Sequence, residues 1–300
     1  MIKIGIVSCD KWLGKIQEDI KLCSTLQKKG VDSKIISWQQ PIIEDYDLLI
    51  LRSVWGYQNS YKDFKAWLLE MRDRNITLLN NPDMVLTNIL KDKQFEILKK
   101  NDIDFIETYF LDKQNFNEER ITFILEELLH KSPSVIKPTI SGSGENTYLI
   151  NGNSNMNNSI SQFDLLNKFS CILNIDDDFK VMIQPYISEI NNGEYACIFI
   201  DGELTHTMLR FPAVFHDKKR PFLIDDVPKS ILTLAKKVES LAEFKGYLYM
   251  RVDMVLVNDE AKIMEVELAE PDLLTKYIEN EEKQSEVIKT LVRKIERRVR

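Results

Sequence analysis

Gly246-Tyr-Leu-Tyr-Met-Arg-Val-Asp-Met-Val-Leu-Val257, then Asn258-Asp-Glu, then Ala261-Lys-Ile-Met-Glu-Val-Glu267, reads as a β-hairpin with its acids gathered on one face. Side chains alternate faces along a strand, so Leu248, Met250, Val252, Met254 and Leu256 form an apolar face suited to a core. The other face carries Tyr249, Arg251, Asp253 and Val255. On the return strand, Ile263, Glu265, Glu267 and Ala269 are expected on one face and Lys262, Met264, Val266 and Leu268 on the other. A turn centred on Asp259 sets Asp253 opposite Glu265, and one centred on Glu260 sets it opposite Glu267. Either register gathers three carboxylates and a guanidinium on one surface, where like charges repel without a counter-ion. Hard oxygen ligands of this kind suit Mg²⁺ or Mn²⁺ completed by phosphates and water. The competing reading is a solvated polar face.

Working outward, the 300 residues suffice for about two cores. A net charge of −7 with scattered Lys and Arg argues against a nucleic-acid partner. Cys9, Cys23, Cys171 and Cys197 lie far apart, and with only three His residues a zinc site is not expected. Cys9 and Cys23 are read as core thiols. The amino-terminal run is a strand rather than a signal peptide, and no apolar stretch approaches membrane-spanning length. The expectation is a soluble, cytoplasmic protein with no membrane partner.

The first eighty-odd residues alternate strand and helix. Strands are expected at Ile2–Ser8, Val31–Trp38, Asp47–Leu51 and Thr77–Leu79, with helices at 15–29 and Tyr61–Arg74. Such alternation implies a parallel sheet with ligands at the carboxyl ends of its strands. Arg52, Ser53 and Trp55 follow the most apolar strand and fall there. A second unit is expected to hold helix Lys91–Lys100, strand Phe105–Phe110, helix Glu118–Lys131, strands Val135–Lys137 and Tyr148–Ile150, a mobile loop at Asn151–Ser159, and strand Val181–Ile187. A third unit contains the hairpin.

Ser141-Gly-Ser-Gly144 joins two of these strands and lacks the Gly-Lys-Ser/Thr ending of a P-loop. A small glycine-rich loop between antiparallel strands can fold over a nucleotide, its N–H groups and hydroxyls contacting phosphates. Lys137, just before it, either snorkels to water or neutralises phosphate.

Lys93, Lys137 with its glycine loop, Gln184-Pro-Tyr-Ile187, Gly193-Glu194, Arg251-Val-Asp253 and Glu265-Val-Glu267 occur in an order that resembles the ATP-grasp superfamily, particularly its glutathione synthetase and D-alanine–D-alanine ligase branch. The resemblance implies an α/β fold, α+β in its catalytic part, with a Rossmann-like preATP-grasp domain (1–83), a small lid subdomain (84–187) and a large catalytic subdomain (188–300). It also implies ATP with two Mg²⁺ or Mn²⁺ ions. Lys93 and Lys137 take the phosphate-binding positions, with Ser141, Gly142, Ser143 and Gly144 as flap. Gln184 takes the adenine hinge with backbone contacts from Pro185, Tyr186 and Ile187, and Glu194 the ribose position. Asp253, Glu265 and Glu267 take the metal positions and Arg251 that of the catalytic arginine. The last metal position is usually Asn in those ligases.

Leu51-Arg-Ser-Val-Trp-Gly-Tyr57 and Glu267-Leu-Ala-Glu-Pro-Asp-Leu273 are similar to a smaller group that includes the ring-closing ligase of cycloserine biosynthesis. Arg210 is either a second substrate- or phosphate-binding arginine or a surface residue. Arg52 with Trp55 either holds a substrate carboxylate or forms a surface stack. The activity implied is ATP-dependent carboxylate–amine ligation of small amino acids or peptides through an acyl phosphate. The alternatives are a kinase on the same scaffold and a non-catalytic nucleotide-binding module. A homodimer is compatible with each.

Overall fold

The computed structural model describes residues 2–42, 45–142, 144–150, 160–211 and 219–299. The expected loop Asn151–Ser159 and the expected flap residue Ser143 lie outside the described residues.

The chain opens with β1 (Lys3–Ser8), α1 (Gln17–Lys28), β2 (Asp32–Ser37), β3 (Leu48–Leu51), α2 (Tyr61–Asp73) and β4 (Leu78–Leu79). They form the expected parallel sheet, in order β2-β1-β3-β4. Its central strands β1 and β3 are buried on both sides, as a sheet covered on both faces requires, whereas the edge strand β2 carries Asp32, Ser33 and Lys34. Next comes α3 (Pro82–Ile89), a helix the sequence reading passed over. Asn80-Asn-Pro82 ends a strand, as expected, but also starts this helix: the Asn81 side chain accepts from the Met84 N–H, and Pro82 occupies the first turn.

Beyond it lie α4 (Lys91–Lys100), β5 (Tyr109–Leu111), α5 (Glu118–Phe123), β6 (Ser134–Pro138), β7 (Tyr148–Ile150), α6 (Gln162–Leu173) and β8 (Val181–Pro185). A second sheet runs β5-β8-β6-β7, antiparallel throughout. The strand expected at Phe105–Phe110 is divided. Its start bonds instead to the return strand of the hairpin, Ile106 N–H to the Ile263 carbonyl and Ile263 N–H to the Asp104 carbonyl. Only its end enters the second sheet.

The rest comprises β9 (Glu194–Ile200), β10 (Glu203–Arg210), β11 (Phe222–Leu223), α7 (Lys229–Glu239), β12 (Tyr249–Val257), β13 (Glu260–Glu267) and α8 (Glu281–Arg298). The third sheet, β11-β10-β9-β12-β13, is also antiparallel. One core packs Ile4, Ile6, Leu48 and Ile50 of the first sheet with Leu22 and Leu26 of α1, Ile198 and Tyr249 of the third sheet, and Leu291 and Ile295 of α8. The opposite face of the third sheet, with Val252, Met254 and Ile263, packs on Ile231, Ala235 and Val238 of α7. Among the described residues no helix is long and apolar enough to cross a membrane.

The hairpin turns at Asn258-Asp259, both with positive φ (51° and 65°), as a two-residue hairpin turn demands. Met254 pairs with Ile263, and after a bulge Asp253 pairs with Glu265 and Arg251 with Glu267. This corrects the simple alternation. The bulged Met264 leaves Ile263 in the core beneath α7, while Met264 itself borders the large cavity alongside Glu265 and Glu267.

Candidate active site

A cavity of about 620 Å³ is walled by residues of the second and third sheets and of loops beyond the first. Ile106, Val135, Lys137 and Gln184–Ile187 come from the second sheet and its approaches, Glu194, Arg210, Arg251, Met264, Glu265 and Glu267 from the third. Trp12, Ile16 and Trp55–Gln58 come from loops beyond the first sheet. Trp12 and Trp55 follow β1 and β3, the carboxyl-end positions where an open parallel sheet receives ligands.

The basic wall is built by burial. Arg251 on β12 is almost fully buried, and its Nε donates to Asp253 Oδ1 at 2.9 Å. Its Nη1 donates to the Asp272 carbonyl at 3.0 Å, and Nη2 bonds Glu267. Arg210 on β10 reaches the other side of Asp253, with Nη2 to Oδ2 at 2.7 Å, and its Nε lies 2.8 Å from Glu194. Asp253 is thus a buried counter-ion for both arginines. Desolvation would raise its pKa, but Arg210 and Arg251 hold it below the usual carboxylate range. The three acids lie close enough for Asp253 to disfavour the ionisation of both Glu265 and Glu267, yet among the described residues no three His, Cys, Asp or Glu groups stand ready for an ion. Asp253 turns to the guanidiniums, whereas Glu265 and Glu267 face the cavity.

Those two acids differ. Desolvation raises Glu265, but Lys91, 3.2 Å away, and Lys137 more than offset it, so its pKa is lowered. Desolvation, with Asp253 and Glu265 adding, pushes Glu267 up to about 8 against the pull of Arg251 and Arg210. Nearby Glu270 is pushed up to about 7 by desolvation and Glu265. Glu265 and Glu267 face the cavity as hard oxygen donors of the kind a divalent ion takes together with phosphates and water, and a cation there would offset the cost of ionising Glu267.

The lysine positions need one correction. Lys93 does not reach the cavity; it is exposed on α4 and pairs with Glu96 at 3.0 Å. Lys91 lines the cavity, buried, and donates to the Ser141 carbonyl at 2.9 Å. Helix phase is the reason: Lys91 lies on the stripe of Gln94, Phe95 and Leu98, and Lys93 points about 200° away from it. That stripe, read from the sequence, would have identified Lys91. Lys137, on β6, lines the cavity as expected, with a pKa lowered by desolvation and by Lys91.

Ser141, Gly142 and Gly144 border the cavity, and the loop closes on the amino-terminal unit through Gln58 Nε2 to Glu145 Oε2 at 2.8 Å. Gln184 is buried and donates through Nε2 to Thr108 Oγ1 at 2.8 Å, with Pro185, Tyr186 and Ile187 beside it on the wall. Desolvation and Asp253 raise the pKa of Glu194 against Arg210 and Arg251.

Of the three residues expected to meet substrate after β3, only Trp55 lines the cavity. Its indole donates to the Glu270 carbonyl at 2.9 Å, and its ring stands edge-on to Trp12 with centroids 6.1 Å apart. Arg52 and Ser53 are corrected to internal roles. The Arg52 guanidinium is buried on the Tyr249 ring and pairs with Glu18 (3.0 Å) and Asp19 (3.2 Å) of α1; Ser53 Oγ contacts Ser8 and Asp19. Glu18 in turn accepts from the backbone N–H and hydroxyl of Thr275. The cluster fastens α1, β3 and the segment after β13 together, and no part of it touches the cavity.

The family described as D-cycloserine synthetase DcsG, N-terminal domain, matches residues 4–80. No curated protein matches the chain in sequence. Among solved structures, D-cycloserine synthetase DcsG is similar over 99% of this chain and 100% of its own, with TM-score 0.78 and 16% identity. The D-alanine–D-alanine ligase from Bacillus anthracis complexed with ATP is similar over 100% and 98%, with TM-score 0.69 and 16% identity. An ATP-grasp ligase, PsnB, complexed with minimal precursor, Mg and ADP, is similar over 97% of both chains, with TM-score 0.61 and 12% identity. The chain therefore has the ATP-grasp fold over its whole length.

Proposed function

We propose that the protein is an ATP-dependent carboxylate–amine ligase acting on small amino-acid or peptide substrates. The observation that carries this reading is the convergence, in one cavity, of Lys91, Lys137, Arg210 and Arg251 with Glu265 and Glu267, beside a polar hinge at Gln184–Ile187. The likeness to solved ATP-grasp ligases supports it.

In this reading Ile106, Val135, Ile187 and Met264 sandwich the adenine, Gln184 and the Pro185–Ile187 backbone meet its polar edge, and Glu194 takes the ribose. Lys91 and Lys137 neutralise the phosphates, with Ser141, Gly142 and Gly144 of the loop above them. Glu265 and Glu267 would hold Mg²⁺ or Mn²⁺, which would supply charge neutralisation for phosphoryl transfer. A substrate carboxylate oxygen attacks the γ-phosphorus, ADP leaves, and an acyl phosphate forms. An amine then attacks the acyl carbon, and loss of inorganic phosphate leaves an amide. Arg251, buried and fixed by Asp253 and the Asp272 carbonyl, is pre-oriented to stabilise the developing oxyanion. The chemistry needs no protein nucleophile, and a cytoplasmic setting would supply the ATP.

The test is an ADP-release screen of amino acids in pairs, followed by hydroxylamine trapping. A hydroxamate whose yield falls as the native amine is added supports the ligase. A stable phosphorylated product without hydroxamate would make the protein a kinase.

A further inference from the structure

Resting on the ligase reading, we infer that the lobe of the cavity beside Trp12 and Trp55 binds the ammonium group of a substrate, with Glu270 as its counter-ion. The acids that line the cavity are Glu194, Glu265, Glu267, Glu270 and Asp272. Four have a cationic partner: Glu194 has Arg210, Glu265 has Lys91, Glu267 has Arg251, and Asp272 has Lys276 at 3.1 Å. Among the described residues Glu270 alone of these five acids forms no ion pair and no side-chain hydrogen bond with another residue; Lys91 and Arg251 favour its charged form without reaching pairing distance. A desolvated carboxylate left without a partner is costly, and a cationic ligand removes the cost.

Position selects the kind of cation. The backbone of Glu270 is pinned by the Trp55 indole, and Trp55 packs against Trp12, so the acid belongs to a wall with two aromatic rings. Ile16, Ala269 and Leu274 complete that part of the lining. Aromatic faces and a single carboxylate suit an ammonium on a short apolar body. A carboxylate group would be repelled here by Glu270 itself, and Lys276 is already held by Asp272. The acid end of a zwitterionic substrate is drawn instead toward Arg251 and Arg210.

The experiment compares α-amino acids of both hands with their N-acetyl and desamino analogues, using ADP release and quenching of tryptophan fluorescence, in wild type, Glu270→Gln and Glu270→Asp. Expected is a preference for the ammonium-bearing compounds, a rise in KM of at least tenfold in Glu270→Gln with KM for ATP unchanged, and recovery in Glu270→Asp. A best substrate without an ammonium group, or one whose KM is unmoved in Glu270→Gln, overturns the assignment while leaving ligase activity standing. Weakened ATP or Mg²⁺ affinity in Glu270→Gln also overturns it, placing Glu270 among the metal-binding groups. If no compound drives ADP release, the ligase reading fails. Fluorescence then decides the ammonium site by itself: quenching by amino acids and not by N-acetyl forms, lost in Glu270→Gln, upholds it, and equal or absent quenching overturns it.

Discussion

The side-chain amide of Gln94 replaces a neighbouring strand for Val266, donating to its carbonyl at 2.6 Å and accepting from its N–H at 2.9 Å. Asn88 continues the substitution, donating to the same carbonyl and accepting from the Leu268 N–H, each at 2.8 Å. Asn80 donates to the Leu268 carbonyl at 2.6 Å. The outer edge of β13 is thus satisfied by amides where a sixth strand would otherwise lie. Because side chains alternate, fixing Val266 and Leu268 also fixes Glu265 and Glu267 facing the cavity.

Gln94→Ala leaves the Val266 N–H buried without a partner and its carbonyl with Asn88 alone, and an unpaired buried donor costs about 1–3 kcal/mol. A lower urea midpoint with an unchanged slope is expected, together with reduced turnover. An unaltered midpoint would show that water or another side chain covers this edge.

Much of this was legible in the sequence and some was not. Strand–helix alternation and the hairpin depend on local periodicity and appear directly in the residues, whereas the ordered polar positions were legible only through the family resemblance. Arg52 and Lys93 were misplaced for different physical reasons. The role of Arg52 depends on Glu18 and Asp19, more than thirty residues earlier and on another element, a pairing that local pattern does not encode. Lys93 was placed by the family resemblance alone, although the apolar phase of α4 favours Lys91. The bulge at Met264 was hidden because one inserted residue reverses the alternation on which the reading of faces rests.

Lys91→Ala should weaken ATP binding by about 1.5–3 kcal/mol, the range for a hydrogen bond to a charged group, while Lys93→Ala leaves it unchanged. Calorimetry on the two variants separates them. Equal losses, or a loss in Lys93→Ala alone, would return the phosphate role to Lys93.

Glu265→Gln should eliminate ADP formation while circular dichroism stays native, since its strand is held by backbone bonds, with the melting point lowered only by loss of the Lys91 pair. Mn²⁺ binding in the presence of ATP, followed by electron paramagnetic resonance, should weaken in parallel. Undiminished turnover would remove Glu265 from the metal-binding set.

Arg52→Met should act on stability. It strands Glu18 and Asp19 in the interior, and breaking a buried pair costs about 3–5 kcal/mol. A large fall in the denaturant midpoint is expected. A native midpoint accompanied by a selective rise in substrate KM would restore Arg52 to substrate binding.

His206 sets an acid limit on the fold. Burial lowers its pKa from 6.5 to about 4, although the Leu273 carbonyl, 2.8 Å from Nε2, partly favours the charged form. With Nε2–H on that carbonyl, the neutral ring presents Nδ1 to the Thr205 hydroxyl at 2.9 Å. Between pH 6.5 and 4 the unfolded chain binds the proton more readily than the folded one, so stability rises with pH across this window. The contribution is complete above the unfolded value and is lost as pH falls, by about 2 kcal/mol at pH 5. Wild type should therefore lose about that much more stability than His206→Gln when urea unfolding at pH 7.5 is repeated at pH 5. Other titrating groups act in both proteins and cancel in the comparison. Identical acid shifts in the two proteins would show that His206 already titrates normally in the folded state.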